Sequence, residues 1–364
     1  MKITLKRTPE QVELVKAMAS RNRQVAYEAQ VALAEFIGPV LAEVLNQAPT
    51  VSNLFQTLQF DADDNPSIPL DLYYNISDED YVQVWSQSHA GGLPSSQVLP
   101  TASELKLATY SLDSAVDFDR RYAAKSRMDV VSKTFTRVAQ NILIKQETTS
   151  ATLIMSALAN ATTNGKQHVQ NCTQDGRFIL NDLNELLTLA KRINTSWIGG
   201  TPTTRTKGIT DLLCSPEIVE DLRAMAYNPI NSVAADGGAP ANTEDGIAAP
   251  DSVRSQLYEN AGLPEFYGIS IMELNELGAN QRFTNLFATA ADGITYPDGT
   301  TGSEAFANGD DIVVGVDRSR DSMIRAVATD SESGGEFTLL ADDQYSIRQN
   351  KIGYFGSIEE GRVV

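Results

Sequence analysis

Histidine and cysteine, the side chains that most often ligate a metal or share a proton with a nucleophile, occur twice each, as His89, His168, Cys172 and Cys214. Two cysteines are too few for a disulfide scaffold, and with two histidines they supply little for a zinc site. They are expected as buried free thiols. His89 falls in the turn-rich stretch SHAGGLPSSQVLPT and His168 in a polar loop, and neither has the shaped setting that acid/base work requires. The run Asp292-Gly-Ile-Thr-Tyr-Pro-Asp298-Gly-Thr-Thr-Gly-Ser-Glu304 carries oxygen donors for calcium, but it lacks the EF-hand spacing, and Asp and Gly are ordinary turn residues. No Gly-rich phosphate loop, GxSxG elbow or HExxH pair is present. No catalytic, cofactor-binding or metal-binding residue is therefore expected, and the chain reads as non-enzymatic.

Charge is more informative. The formal net charge is −18, from 29 basic and 47 acidic residues. Such a surface repels phosphate, which argues against sequence-specific nucleic-acid binding. The charges are also segregated. Residues 61–104 hold Asp61, Asp63, Asp64, Asp71, Asp78, Glu79, Asp80 and Glu104 without one lysine or arginine. Shortly after, Arg120, Arg121, Lys125, Arg127, Lys133 and Arg137 are opposed only by Asp129. One reading is two solvated faces. The other is complementarity between copies, an acidic hairpin around Asp78, Glu79 and Asp80 lying over the window of Arg120, Arg121 and Arg127 on a neighbour, a head-to-tail contact that closes into rings.

The elements carrying these charges follow from periodicity. Thr8-Pro-Glu-Gln11 is a capping-box start, and Val12, Val15, Ala19, Ala26, Ala29, Leu33 and Phe36 continue one apolar stripe until Gly38-Pro39 kinks or restarts the helix. LDLYYNISDEDYVQVWSQ and ELKLATYSL read as the strands of a long hairpin. Met128, Val131, Phe135, Val138 and Ile142 predict a helix running to Ala159. A helix over Leu183–Ile193, a strand over Ile209–Leu213 and a helix capped by Ser215-Pro216-Glu217 follow. Residues 229–250 read as a loop, Asp251 as the cap of a short helix ending at Gly262, and FYGISIMEL, IVVGV, MIRAVA and EFTLLA as strands. The fold class is α+β. A length of 364 residues suggests two compact units, at roughly 150 residues per domain. The charged N-terminus is no secretory signal, and no stretch reads as long enough to span a bilayer.

This order of parts resembles the major capsid proteins of tailed double-stranded DNA bacteriophages, with the Hong Kong 97-type fold. On that resemblance residues 1–60 are the N-terminal arm, 61–115 the E-loop, 116–199 the P domain with MDVVSKTFTRVAQNILIKQETTSATLIMSAL as its spine helix, 200–325 the A domain and 326–364 the returning P-domain strands. KGITDLLCSPEIVEDLRAM looks like the family's A-domain strand and helix, and FYGISIMELNELG like its later Tyr-Gly-Ile strand.

The resemblance implies a subunit that assembles in a bacterial cytoplasm into hexamers and pentamers of an icosahedral procapsid. Its partners would be a scaffolding protein, a portal and a cement protein, with double-stranded DNA enclosed and no membrane. Some members join an E-loop lysine to a P-domain asparagine. Residues 61–105 contain no lysine and Lys106 lies on the returning strand, so no such cross-link is expected. A cellular nanocompartment shell of the encapsulin kind is the alternative within the fold, and a metal-dependent α+β enzyme using the aspartates of 292–304 the alternative outside it.

The tail ADDQYSIRQNKIGYFGSIEEGRVV keeps strand-forming residues to its end, as strands rejoining an earlier sheet must. Arg348 and Lys351 are expected either as edge-strand charges or as contacts to acidic loops of neighbours. Truncation after Asp343 is expected to abolish folding or assembly, and loss of only Gly361–Val364 to be tolerated.

Overall fold

The computed structural model describes residues 8–47, 51–61, 66–69, 104–163, 166–173, 176–198, 208–225, 265–266, 268–295, 306, 309–318, 323–329, 336–342 and 350–364. The protein is α+β and divides into two interleaved units, one of residues 1–68, 104–150 and 323–364, the other of 69–103 and 151–322. The hairpin body with Asp78, Glu79 and Asp80, the loop 229–250, the helix after Asp251, most of 292–304, His89 and Arg348 lie outside the described residues.

In the first unit Thr8 caps α1 (Pro9–Met18) by accepting from the Gln11 amide at 3.4 Å, with Pro9 at the first helical position. The apolar stripe does not continue unbroken. Ser20 Oγ accepts from the Asn22 amide at 3.2 Å, and Asn22 Oδ1 from the Gln24 amide at 3.2 Å. These side chains end one helix and start the next, α2 (Arg23–Gln47), which runs through Gly38 and Pro39. The amide that Pro39 lacks would have bonded the carbonyl of Glu35, an exposed residue that water can serve. Because α2 is continuous, Arg23–Leu45 is long and apolar enough to cross a membrane by length and composition, contrary to the expectation from sequence. Here Leu33, Ile37, Leu41 and Leu45 pack into the first unit's core.

That core lies against a five-stranded sheet. Its strands are β1 (Gln56–Asp61), β4 (Thr109–Asp119), β11 (Ile324–Thr329), β12 (Thr338–Asp342) and β13 (Lys351–Val363), in the order β1-β11-β13-β12 with β4 on the other edge of β13. β1 runs parallel to β11, and the other pairs are antiparallel. The short strands β2 (Ser67–Pro69) and β3 (Glu104–Lys106) pair to close the base of the predicted hairpin. β4 continues as α3 (Arg120–Ala124), and Ser126 at φ 50° turns the chain into α4 (Met128–Asn160), one unbroken helix of 33 residues and about 50 Å. Val131, Phe135, Val138 and Ile142 of α4 meet Ile352, Tyr354 and Ile358 of β13. The Tyr354 ring packs edge-on to Phe135 at 5.2 Å, stacks at 6.3 Å on Phe118 and donates to Met18 Sδ at 3.2 Å. At Gly356 a Cβ would sit 2.5 Å from the Phe337 ring, so the aromatic takes the space a side chain would need.

Near its far end β13 carries a buried polar cluster around Glu360 and Arg362. Glu360 Oε2 accepts from Arg325 Nε at 3.0 Å, Gln146 Nε2 at 3.0 Å and Arg362 Nη2 at 3.2 Å, and Oε1 accepts from Tyr110 at 3.0 Å. Arg362 also donates to Ser52 Oγ at 3.0 Å and to Ser150 Oγ, and lies 5.4 Å over the Phe55 ring. Glu147 accepts from the amides of Val51 and Ser52 at 2.9 and 3.0 Å. Burial pushes the Glu360 carboxyl up, but the two guanidinium groups and their hydrogen bonds override it and hold the carboxyl below the ordinary glutamate range. The structure argues against the expectation that loss of only Gly361–Val364 is tolerated: that segment carries Arg362, whose side chain is 0% exposed.

The second unit holds a four-stranded sheet, order β10-β7-β9-β8: β7 (Asp211–Cys214), β8 (Glu265–Phe266), β9 (Ile269–Glu273) and β10 (Val314–Val316). β7 and β9 are parallel, and β7 is buried along its whole length, Asp211 included. Helices α5 (Leu180–Ile198) and α6 (Pro216–Met225) pack Leu183, Ile218, Val219 and Leu222 onto Leu212, Ile269 and Ile271. α5 thus shares its core with this unit, whose second segment begins at Ala151. Ser215 Oγ accepts from the Ile218 amide at 3.2 Å, the predicted cap of α6. A short hairpin, β5 (Thr162–Thr163) with β6 (Lys166–Gln167), follows α4. The helix α7 (Arg282–Ala291) was not expected, and buries Phe283, Phe287 and Ala291.

Candidate functional site

The predicted cations converge at one corner of the first unit. β4 ends at Asp119, whose carboxylate accepts from the Arg121 amide at 2.9 Å and caps α3, so Arg120 and Arg121 are fixed as its first residues. The Arg120 amide donates to the Asn350 carbonyl at 3.2 Å, and the register sets Lys351 opposite Asp119. Arg120, Arg121 and Lys351, more than 200 residues apart in sequence, thus lie at the same end of the β4–β13 pair. Lys351 forms an ion pair with Asp117 within the chain. The Arg121 side chain is 80% exposed and 3.8 Å from Asp119, a loose pairing. Lys125, Arg127, Lys133 and Arg137 are all exposed, which extends the corner along α3 and the first turns of α4. Chemically the corner presents guanidinium and ammonium groups at a helix end, groups that pair with carboxylates.

The second unit contains a cavity of about 580 Å³, with Asp182, Glu185, Glu217, Asp221, Asp310 and Asp311 on its walls. Three of these acids have structural work. Asp182 accepts from the Thr173 amide and hydroxyl and the Ile179 amide, and Asp221 from the Phe178 amide. Ser215 donates to Asp311, whose carboxyl is raised by burial first and also by Glu217 and Asp221, against the pull of that bond and of the Ile312 amide. Among the described residues no three His, Cys, Asp or Glu side chains gather as a metal ion would need.

Both thiols are free, and one of them is buried as expected. Cys214 is buried in β7, and burial pushes its thiol far up. Cys172 is exposed, because it sits in the loop ahead of α5, with its thiol raised by burial and by nearby Asp182, Asp311 and Asp221. Titration with an aromatic disulfide reagent at mild alkaline pH is expected to modify Cys172 alone in the folded protein, and both thiols after unfolding. Reaction of both in the folded state would contradict the burial of Cys214.

No family model matches the chain, and no curated protein does. It is similar to several solved structures. One from Microbacterium phage Oxtober96 is 11% identical over 87% of this chain and 85% of that chain, with a TM-score of 0.45. The capsid of the cyanophage P-SCSP1u is 15% identical over 85% and 83%, with a TM-score of 0.41. The holo-SrpI encapsulin complex from Synechococcus elongatus PCC 7942 is 14% identical over 72% of each chain, with a TM-score of 0.38. At these identities and scores the likenesses assign no function by themselves.

Proposed function

We propose that the chain is a major capsid protein of a tailed double-stranded DNA bacteriophage, a non-catalytic subunit of the Hong Kong 97 type that forms hexamers and pentamers of an icosahedral shell. The observation that supports this reading most is how the chain interleaves. Two N-terminal helices, the base of a hairpin, an 11-residue strand and a 33-residue helix come first. A second unit with its own sheet is then inserted before β11, β12 and β13 return to the first sheet. This order supports reading the parts as arm, E-loop, spine, A domain and returning strands. The net charge of −18 suits a container that must enclose DNA without gripping it. A scaffolding protein, a portal and a cement protein are the partners this role requires, and a virion capsid is its location.

Electron microscopy of the expressed protein, alone and with a scaffold, is expected to show closed shells of uniform diameter, and mature particles are expected to contain nucleic acid. Monomers under both conditions would overturn the reading, and shells filled with an enzyme in place of nucleic acid would move it to the nanocompartment alternative. Mature particles boiled in detergent are expected to run as a single monomer band, since residues 61–105 offer no lysine for a cross-link. A ladder of covalent oligomers would contradict this.

A further inference from the structure

The inner face of α2 is accounted for by the first core, but the flank beside that face is apolar as well. Val25 is 41% exposed, Phe36 53% and Val40 41%, and the exposed Ala32 lies between them. At about 100° per residue these four positions fall within roughly 80° of arc, a continuous stripe along the helix and not scattered apolar residues. Fewer than half of the residues of Arg23–Leu45 are buried. The charges beside the stripe are of one sign. Glu28 and Glu35 line one border and Glu43 extends its far end, while Arg23 at the first position is the helix's sole cation.

We propose that this stripe is the docking surface for an amphipathic helix of a second protein, one whose apolar face is bordered by lysine or arginine. Anchors spaced seven, four and four residues apart along about 23 Å match the i, i+3/i+4, i+7 side chains of a partner helix of about four turns. The glutamates choose the charge of its border. They also disfavour a second copy of α2, which would set carboxylate against carboxylate, and they disfavour an anionic lipid surface. The inference does not depend on shell formation.

The test uses the full chain as unassembled subunits and a synthetic helical peptide of about 20 residues, with leucines along one face and lysines at its border, against a sister peptide bearing glutamates there. Fluorescence anisotropy is expected to show the lysine peptide binding at least about tenfold more tightly, with Phe36→Ser weakening it by at least about tenfold. The pair Glu28→Lys and Glu35→Lys is expected to reverse the preference between the peptides, which a misfolded variant would not do. Equal binding of the two peptides, or no effect of Phe36→Ser, overturns the proposal. So does a self-association of the chain, or its flotation with phosphatidylcholine vesicles, that Phe36→Ser abolishes.

Discussion

Replacing Arg362 by alanine is expected to lower the stability of the unassembled subunit by about 3–5 kcal/mol, and removing Gly361–Val364 to do at least as much. The magnitude follows from burial. The side chains of Glu360 and Arg362 are each 0% exposed, so removing the guanidinium leaves a carboxylate inside the protein with only Arg325 as a cation, and leaves Ser52 and Ser150 short of a donor. Deletion also removes the strand segment where Gly361 comes so close to β4 that a Cβ would stand 2.8 Å from the Ala108 carbonyl. Urea unfolding followed by near-ultraviolet circular dichroism measures the loss, with Arg121→Ala as the comparison. That side chain is 80% exposed, and its removal is expected to change stability by less than about 1 kcal/mol. If Arg362→Ala behaves like Arg121→Ala, the cluster does not hold the sheet to α4.

The same cluster fixes a pH window. The folded Glu360 carboxyl titrates below its unfolded value of about 4.3, so its contribution is complete above that pH and is lost as pH falls through the folded value. Tyr110 is the converse case: burial first, then the charge of Glu360, pushes its hydroxyl up to about 12. Its contribution is complete below about pH 10 and is lost as pH rises towards 12. Glu360→Gln is expected to flatten the acid limb of the stability profile; an unchanged limb would place the acid-sensitive group elsewhere.

How much of this was readable in the sequence depended on whether the partner of a residue was local. The three-four spacing from Met128 onward reports a face of one helix, and α4 follows it to Asn160. The strand-forming tail likewise became β13. Glu360 and Arg362 gave no such signal, because charged residues next to a terminus are ordinarily solvated. What buries them are Arg325, Gln146 and Ser52, which are 35, 214 and 310 residues away along the chain. The break between α1 and α2 was available locally, in the turn chemistry of Ser20 and Asn22, but the alanine-rich stripe ran across it. For α7, Phe283, Phe287 and Ala291 at steps of four were a usable helical signal amid turn residues. The convergence of Lys351 with Arg120 and Arg121 could not be read at all, since it follows from the β4–β13 register.

Reversing Arg120, Arg121 and Arg127 to glutamate is expected to leave the subunit folded and to abolish ring and shell assembly. Arg121 and Arg127 are exposed, and the amide of residue 120 bonds Asn350 through backbone atoms that any residue supplies, so folding does not need these side chains. Assembly is different, because on the proposed function the window faces an acidic hairpin on the neighbouring copy. Six cations opposed within the window by Asp129 alone would meet the eight carboxylates of residues 61–104. Turning three of them acidic replaces attraction by repulsion at each contact of a closed ring, so even about 1 kcal/mol per contact is multiplied by the symmetry. Sedimentation at low salt is the sensitive measurement, since a Debye length of about 8 Å at physiological ionic strength screens all but the closest pairs. Reversing Asp78, Glu79 and Asp80 to lysine in the same chain is expected to restore assembly. Normal assembly of the arginine variant, or no rescue by the second reversal, would dissociate the two segments. Lys351 gives an internal contrast. It is already paired with Asp117 across β4 and β13, so Lys351→Ala is expected to weaken the sheet edge slightly and to disturb assembly less than reversal of Arg121.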